Sequence, residues 1–253
     1  MRRLLVIGMG AGDPAFVTVQ AVDAINAVDV FFVIDKGEAK EDLVAVRQDV
    51  LNRYATRRGY RVVEIDDPQR DPGLPYEDAV ARWHHERVLR FEQVLSNEVA
   101  DGECAGILVW GDPSLYDSTL RVIDQVLARG QVVFEHTVIP GISSVQVLAA
   151  RHRIPLNRIG RSVHITTGRL LQEGLPDGVD DVVVMLDGGT AFTGLVGQGF
   201  EIFWGAYLGS VDEILISGAL DEVAEEIVRV RGEARHRKGW MFDTYLLRRL
   251  DAS

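Results

Sequence analysis

The sequence predicts a two-domain α/β protein, with a parallel α/β domain over residues 1–138 and a mixed-sheet α/β domain over residues 139–253. Three observations carry that expectation. Apolar runs alternate with stretches of helical periodicity through the first half, a connector rich in Pro and Arg follows, and the second half holds strand-like runs with fewer helices between them. Parallel neighbours need crossover connections, so strands that alternate strictly with helices imply a parallel sheet covered on both faces. Strands that follow one another without a helix imply antiparallel or mixed pairing.

Taken in order, "RLLVIG" reads as a strand, "TVQAVDAINAV" as a helix, "DVFFVID" as a strand and "AKEDLVAVRQDVLNRYA" as a helix. "YRVVEID" is the third strand, and a long helical segment runs from Tyr76 to about Val99. "AGILVW" and "QVVFEH" are the fourth and fifth strands, with the helix "SLYDSTLRVIDQVLARG" between them. "TVIPGISS" then leads into one short helix, and "RIPLNRIG" has the composition of a connector. Beyond it "RSVHITTG", "DDVVVML", "FEIFWGAYLG", "DEILISG" and "GWMFDTYLLRR" are strands.

With 253 residues, 47% of them hydrophobic, the chain can bury one large core or two modest ones. A formal net charge of −11 argues against a general nucleic-acid or anionic-membrane role, since both depend on a positive field. The single cysteine, Cys104, reads as a small buried strand residue, consistent with a reducing cytoplasm. The start "MRRLLVIGMGAG" imitates a signal peptide, but its apolar run is cut short by glycines and Asp13-Pro14, so a cytoplasmic, non-exported protein is expected. No apolar stretch approaches the roughly 20 residues of a membrane helix.

The chemistry is expected in the loops. Gly-Asp-Pro occurs at Gly12 to Pro14 and again at Gly111 to Pro113, each time directly after an apolar strand. In a parallel sheet both loops open at the carboxyl edge, where such sheets bind ligands. Asp can cap the following turn and Pro supplies the fixed φ of a first helical position; the same pattern is also ordinary turn chemistry. The first loop resembles a dinucleotide fingerprint, but the place of its third glycine holds Asp13, which would repel a pyrophosphate. Asp35, at the end of the second strand, is the acid a nicotinamide reading would need; it falls late for that motif, and the broken glycine pattern weakens the dehydrogenase reading further. Neither Gly-Asp-Pro loop contains Lys or Arg, so a ligand carrying hydroxyls, an ammonium and a sulfonium fits them better than a polyphosphate.

A third loop, "IPGISS", resembles a nucleophile elbow except that its last glycine is Val145. Ser143 and Ser144 therefore read as helix caps or as hydroxyls offered to a ligand at a helix N-terminus. Of the six histidines only His84 and His85 are adjacent, and neither H-E-x-x-H nor C-x-x-C occurs, so no metal is expected. Two basic runs stand out against the acidic total. Arg235, Arg237 and Lys238 read as a solvated face, while Arg151, Arg153, Arg158 and Arg161, at the expected domain junction, can meet substrate carboxylates.

The stretches "VIGMGAGDPAFVT", "VWGDPSLYDST", "VIPGISSVQVLA", "VVVML" and "LISGAL", in that order and spanning nearly the whole chain, together resemble the tetrapyrrole methylases. That family transfers methyl groups from S-adenosylmethionine to porphyrinoid intermediates. "DVFFVIDKGEAKEDLV", "YRVVEIDDPQRDP", "ARWHHER" and Trp110 resemble one branch of it, in aerobic cobalamin biosynthesis, whose members methylate precorrin-5 at C1 and release acetate to give precorrin-6A.

The resemblance implies an active site in a trough between the two domains. It implies donor contacts from Pro14, Trp110, Gly111, Asp112, Leu115, Ser143, Ser144, Met185, Gly218 and Ala219. Many family members have two glycines where this chain has Trp110-Gly111, and many have proline where it has Ala11, so the donor's pose beside Trp110 is open. A homodimer is implied as well. Deacylation needs a base, for which Asp35, His84, His85 and Asp112 are candidates, with Asp35 and Asp112 placed first; Arg153 and Arg158 are the expected holders of the substrate's acetate and propionate arms. A sibling methylase acting at another ring position would share every donor residue, and a non-catalytic S-adenosylmethionine or nucleotide sensor would keep the glycine loops.

Overall fold

A computed structural model describes residues 1–35, 41–57, 59–69, 73 and 75–250, with only the backbone of 35, 41–44 and 76. The chain forms two compact units, Met1–Ser143 and Ser144–Ser253.

In the first unit β1 (Arg2–Gly8), α1 (Val19–Ala27), β2 (Val30–Asp35), α2 (Glu41–Tyr54), β3 (Arg61–Asp66), α3 (Tyr76–Glu98), β4 (Cys104–Val109), α4 (Thr119–Arg129) and β5 (Phe134–Ile139) alternate as expected. The strands make one sheet in the order β3-β2-β4-β1-β5, every pair parallel. Strand alternation splits the apolar residues between its two faces. Leu4, Val6, Phe32, Ile107 and Val109 pack with Leu95 of α3 and Ile123 of α4. On the other face Ile7, Phe31, Leu108 and Ile139 pack with Ile25 of α1 and Leu51 of α2. The central strand β4 is buried along its whole length, which explains why "CAGILV" is apolar without alternation. Cys104 opens that strand fully buried, and burial pushes its thiol pKa up.

The second unit holds α5 (Ser144–His152), β6 (Val163–Thr167), α6 (Gly168–Gln172), β7 (Asp181–Met185), β8 (Phe200–Ala206), β9 (Ile214–Ala219), α7 (Leu220–Lys238) and β10 (Asp243–Arg249). Its sheet runs β6-β7-β10-β8-β9 and is mixed. β6 and β7 are parallel, β10 lies antiparallel between β7 and β8, and β8 and β9 are antiparallel. Val182, Val184, Ile202, Trp204, Tyr245 and Leu247 cover one face and pack against Leu220, Ala224 and Ile227 of α7. The connector read from "RIPLNRIG" lies between α5 and β6, and the short α6 was not visible as a separate helical pattern. Among the described residues no helix is long and apolar enough to cross a membrane.

Candidate functional site

Three glycine loops leave the carboxyl ends of β4, β1 and β5, which are neighbours in the first sheet. The two Gly-Asp-Pro loops are joined backbone to backbone: the amide of Gly111 donates to the carbonyl of Gly10 at 2.8 Å, and the amide of Gly10 donates to the carbonyl of Gly111 at 3.3 Å. Each Asp accepts the amide two residues on, Asp13 from Ala15 at 2.8 Å and Asp112 from Ser114 at 2.8 Å. These are the capping bonds that Asp-Pro predicts. The first caps a 3-10 turn, Pro14–Phe16; the second caps a turn only, because α4 does not begin until Thr119.

The third loop is tied to the second by the amide of Gly141, which donates to Oδ2 of Asp112 at 2.9 Å. Their approach leaves no room for a side chain. A Cβ on Gly141 would lie 2.1 Å from the carbonyl oxygen of Gly111, and one on Gly8 would lie 2.5 Å from the nitrogen of Gly141. The sequence reading rested on glycine as a turn former and missed this packing role, for which Gly8 and Gly141 at the ends of strand motifs were the available signal.

Asp112 is a fixed acceptor. Its Oδ1 takes the amide and hydroxyl of Ser114 and its Oδ2 takes Gly141. Burial pushes the carboxyl pKa up, but the hydrogen bonds from Ser114 and Gly141 outweigh burial and hold it below its ordinary value. Such a group stays ionised and holds two loops in place; it is poorly suited to take a proton from water. The other expected base, Asp35, has its backbone paired with Asp66 at the end of β2, and its side chain lies outside the described residues.

Around this core the carbonyl of Pro14 accepts the Tyr54 hydroxyl of α2 at 3.0 Å. Trp110 is half-buried against the apolar cluster of Ile7, Met9 and Leu108. Leu115 is half-buried and its amide donates to the carbonyl of Asp112 at 3.2 Å. Ser143 is buried, at 4% exposure. His84 lies on α3 with its ring centroid 4.8 Å from that of Trp83, and His85 is exposed.

In the second unit Ser144 opens α5, and its Oγ lies 2.9 Å from Oγ1 of Thr244 on β10. Thr244 is opposite Met185 in the β7–β10 register, so the fold gathers Ser144, Thr244 and Met185, and only Thr244 went unnoticed in the sequence. Gly218 and Ala219 are placed differently. Met185, Thr244, Gly205 and Leu215 form one row across the sheet, whereas Gly218 shares a row with Ile202, Leu247 and Val182, three residues along and two intervening strands away from Met185. At the Met185 end two non-glycine residues have left-handed backbones, Leu186 (φ 52°) after β7 and Tyr207 (φ 49°) after β8. Strain of this kind persists only where the surroundings over-determine it. Beside Leu186, Asp187 accepts the amides of Gly189 and Ala191 and the hydroxyl of the buried Tyr245, while Tyr207 donates its amide to the carbonyl of Phe242 at 2.9 Å and its hydroxyl to the carbonyl of Trp240 at 2.7 Å.

The expected substrate arginines separate. Arg153 is exposed at the end of α5. The guanidinium of Arg158 lies against the fully buried Asp181 at 3.3 Å and donates to the carbonyl of Arg249 at 3.2 Å, with Arg248 on the other oxygen of Asp181 at 3.0 Å. Arg151 and Arg161 pair with Glu213 and Asp180. Arg235, Arg237 and Lys238 close α7, where cations favour the negative helix end. Among the described residues no group of three or more His, Cys, Asp or Glu side chains is placed to hold a metal ion.

Comparison with known proteins agrees with this architecture. The sequence profile of the tetrapyrrole (corrin/porphyrin) methylases matches residues 3–224. The chain is 48% identical over 250 residues to the precorrin-6A synthase [deacetylating] of Sinorhizobium sp., covering 98% of this chain and 96% of that protein. A cobalamin-synthesis-related protein, CobF, from Corynebacterium diphtheriae has a crystal structure that superposes with a TM-score of 0.87 at 38% identity, covering 99% of this chain and all (100%) of that one. The uroporphyrin-III C-methyltransferase of Thermus thermophilus, solved in complex with S-adenyl homocysteine, shares the fold at a TM-score of 0.58 and 19% identity, over 97% of this chain and 96% of that one. A parallel first sheet with paired Gly-Asp-Pro loops, a mixed second sheet and a profile match over most of the length lead to one assignment: the chain belongs to the tetrapyrrole methylases.

Proposed function

We propose that the chain is an S-adenosylmethionine-dependent C-methyltransferase that methylates precorrin-5 at C1 and releases acetate, giving precorrin-6A. The observation that carries this reading is the 48% identity over nearly the full length of the Sinorhizobium synthase. The loop chemistry supports the donor. Residues 8–14, 110–115 and 140–144 contain no Lys or Arg and present backbone groups and two carboxylates, as suits a sulfonium bearing hydroxyls. When bound, the donor supplies an electrophilic methyl group to the ring carbon.

In this reading the protein's part in methyl transfer is alignment. Asp112 fixes the second and third loops against each other, and the bridge of Gly10 with Gly111 fixes the first. Pro14, Trp110, Gly111, Asp112, Leu115 and Ser143 are the donor contacts proposed in the first unit. Ser144 and Met185, with Thr244 between them, are those proposed in the second; Gly218 and Ala219 belong to the same proposal but sit in two other rows of the sheet. Arg153 is the residue proposed to meet a carboxylate arm of the macrocycle. A homodimer is proposed from the family resemblance, and sedimentation of the purified protein decides it.

The test is incubation with methyl-labelled S-adenosylmethionine and precorrin-5, reading both a methylated corrinoid and free acetate. Both products are expected. Methylation without acetate would indicate a sibling enzyme acting at another ring position, and no transfer would indicate a binding protein.

A further inference from the structure

Methyl transfer to carbon asks for alignment, but removing a two-carbon acyl unit asks for a base to activate water and donors to meet the charge on the acyl oxygen. Asp112 has both oxygens filled by backbone and hydroxyl donors. A different group in the first unit has the required parts. At the carboxyl end of β3 a small cleft, open to solvent, has an apolar floor that includes Ile65, Phe91 and Val122 and a polar wall of Asp67, Arg87 and Ser118.

Asp67 follows directly after β3, Arg87 lies on α3 and Ser118 immediately precedes α4, so three separate elements converge here. The Arg87 guanidinium approaches Oδ1 of Asp67 at 2.7 Å through Nε and donates to Oγ of Ser118 at 2.9 Å through Nη1. It is only 9% exposed and lies 4.3 Å from the centre of the Trp83 ring, which fixes the plane of its donors. Oδ1 of Asp67 is shielded from solvent, and despite the short approach of Nε no donor among the described residues meets it in hydrogen-bond geometry. A buried acceptor without a donor is unusual and needs a reason. Because Ser118 accepts from Arg87, its own O–H is left to donate elsewhere. Ser118 also ends the loop that begins at Trp110, so this cleft and the Asp112 clamp share one connection between β4 and α4.

We propose that Asp67, Arg87 and Ser118 form the hydrolytic centre that releases the acyl unit, an inference that rests on the deacylating reading above. Water adds to the acyl carbon while its proton passes to Asp67, and Ser118 and Arg87 stabilise the oxyanion. The bond from the acyl carbon to the ring carbon then breaks, leaving its electron pair on the ring carbon as the nucleophile that methylation consumes. The acyl unit departs as acetic acid, which ionises to acetate, and Asp67 returns its proton to solvent. No oxidant or reductant is needed. The apolar floor suits the methyl end of a two-carbon acyl group.

The experiment compares wild type, Asp67→Asn, Asp67→Gly and Ser118→Ala on precorrin-5, reading acetate release and methyl incorporation in single turnovers, with donor affinity by calorimetry. Asp67→Asn should lower acetate release on the order of 100-fold or more, and Ser118→Ala roughly 10- to 100-fold, in kcat and not in KM, with donor affinity within about twofold of wild type. Added formate should restore part of the activity of Asp67→Gly, which a purely structural ion pair would not allow. Ser118 makes no side-chain cap to α4, so its variant decides the matter if the Asp67 variants fail to fold. Acetate release by Asp67→Asn and Ser118→Ala at the wild-type rate overturns the inference while leaving the deacylating reading intact. A wild-type enzyme that methylates without releasing acetate overturns both.

Discussion

The amide of Gly141 donates to Oδ2 of Asp112 at 2.9 Å, so one carboxylate joins the loop after β5 to the loop after β4. Removing that carboxylate leaves the Gly141 and Ser114 amides without their acceptor, and an unsatisfied donor costs about 1–3 kcal/mol. Asp112→Ala should therefore lower stability by about that amount and weaken S-adenosylmethionine binding at the same time. Denaturant unfolding and calorimetry read the two effects separately; unchanged donor affinity would remove Asp112 from the donor site.

The same residue predicts a pH dependence. Hydrogen bonds from Ser114 and Gly141 hold the folded carboxyl below its ordinary value of 3.8. A depressed folded pKa contributes stability that is fully present above the unfolded value and is lost as pH falls through the folded one. Wild type should thus exceed Asp112→Asn in stability near neutrality, and the gap should close only below about pH 4. A gap that closes around neutrality would mean that another group carries the effect.

Glycine substitutions should split by environment. In Gly141→Ala the new Cβ meets the Gly111 carbonyl at 2.1 Å, a backbone atom that no rotamer change can move, so a loss of about 3 kcal/mol or more is expected. Gly232 lies in the exposed interior of α7 with nothing within 4 Å of the same added atom, and Gly232→Ala should gain about 0.5–1 kcal/mol. Thermal unfolding of the two variants tests both signs.

What was legible in the sequence is what depends on local pattern. Alternating apolar runs revealed all five strands of the first sheet, and the two Gly-Asp-Pro repeats located the loops that the fold brings together, because an Asp-Pro cap is made within three residues. Partnership over long separations was hidden. Ser144 meets Thr244 across 100 residues, and Arg158 meets Asp181 across 23, although from the sequence Arg158 was expected, with Arg153, to meet a substrate carboxylate. Periodicity says which face a residue takes but not which strand lies beside it. The order of "VVVML" and "LISGAL" therefore could not show that Met185 and Gly218 occupy different rows of one sheet.

The two arginines expected to hold carboxylate arms should consequently behave differently. Arg153→Ala should raise KM for the macrocycle and leave thermal stability within about 0.5 kcal/mol of wild type, as exposed substitutions usually do. Arg158→Ala removes one of two cations from the buried Asp181, so stability should fall, by about 1–3 kcal/mol because Arg248 remains. Equal effects of both variants on KM, with no loss of stability for Arg158→Ala, would show that Arg158 serves the substrate.

The buried network behind Met185 gives the largest expected cost. Arg231 meets Asp243 at 2.8 Å with side-chain exposures of 7% and 2%, and it also donates to the carbonyl of Asp187. Asp243 accepts the Trp204 indole N–H at 3.1 Å, and Asp187 accepts the Tyr245 hydroxyl at 2.8 Å. Arg231→Met leaves the Asp243 carboxylate buried without its cation, for which about 3–5 kcal/mol is expected. Asp243→Leu strands the guanidinium and leaves the Trp204 indole N–H without its acceptor, and Arg231→Met with Asp243→Leu removes both charges together. Much of the loss should therefore return in the double variant, giving a coupling energy above about 1 kcal/mol in a double-mutant cycle. Strictly additive losses would mean that the pair does not act as a unit.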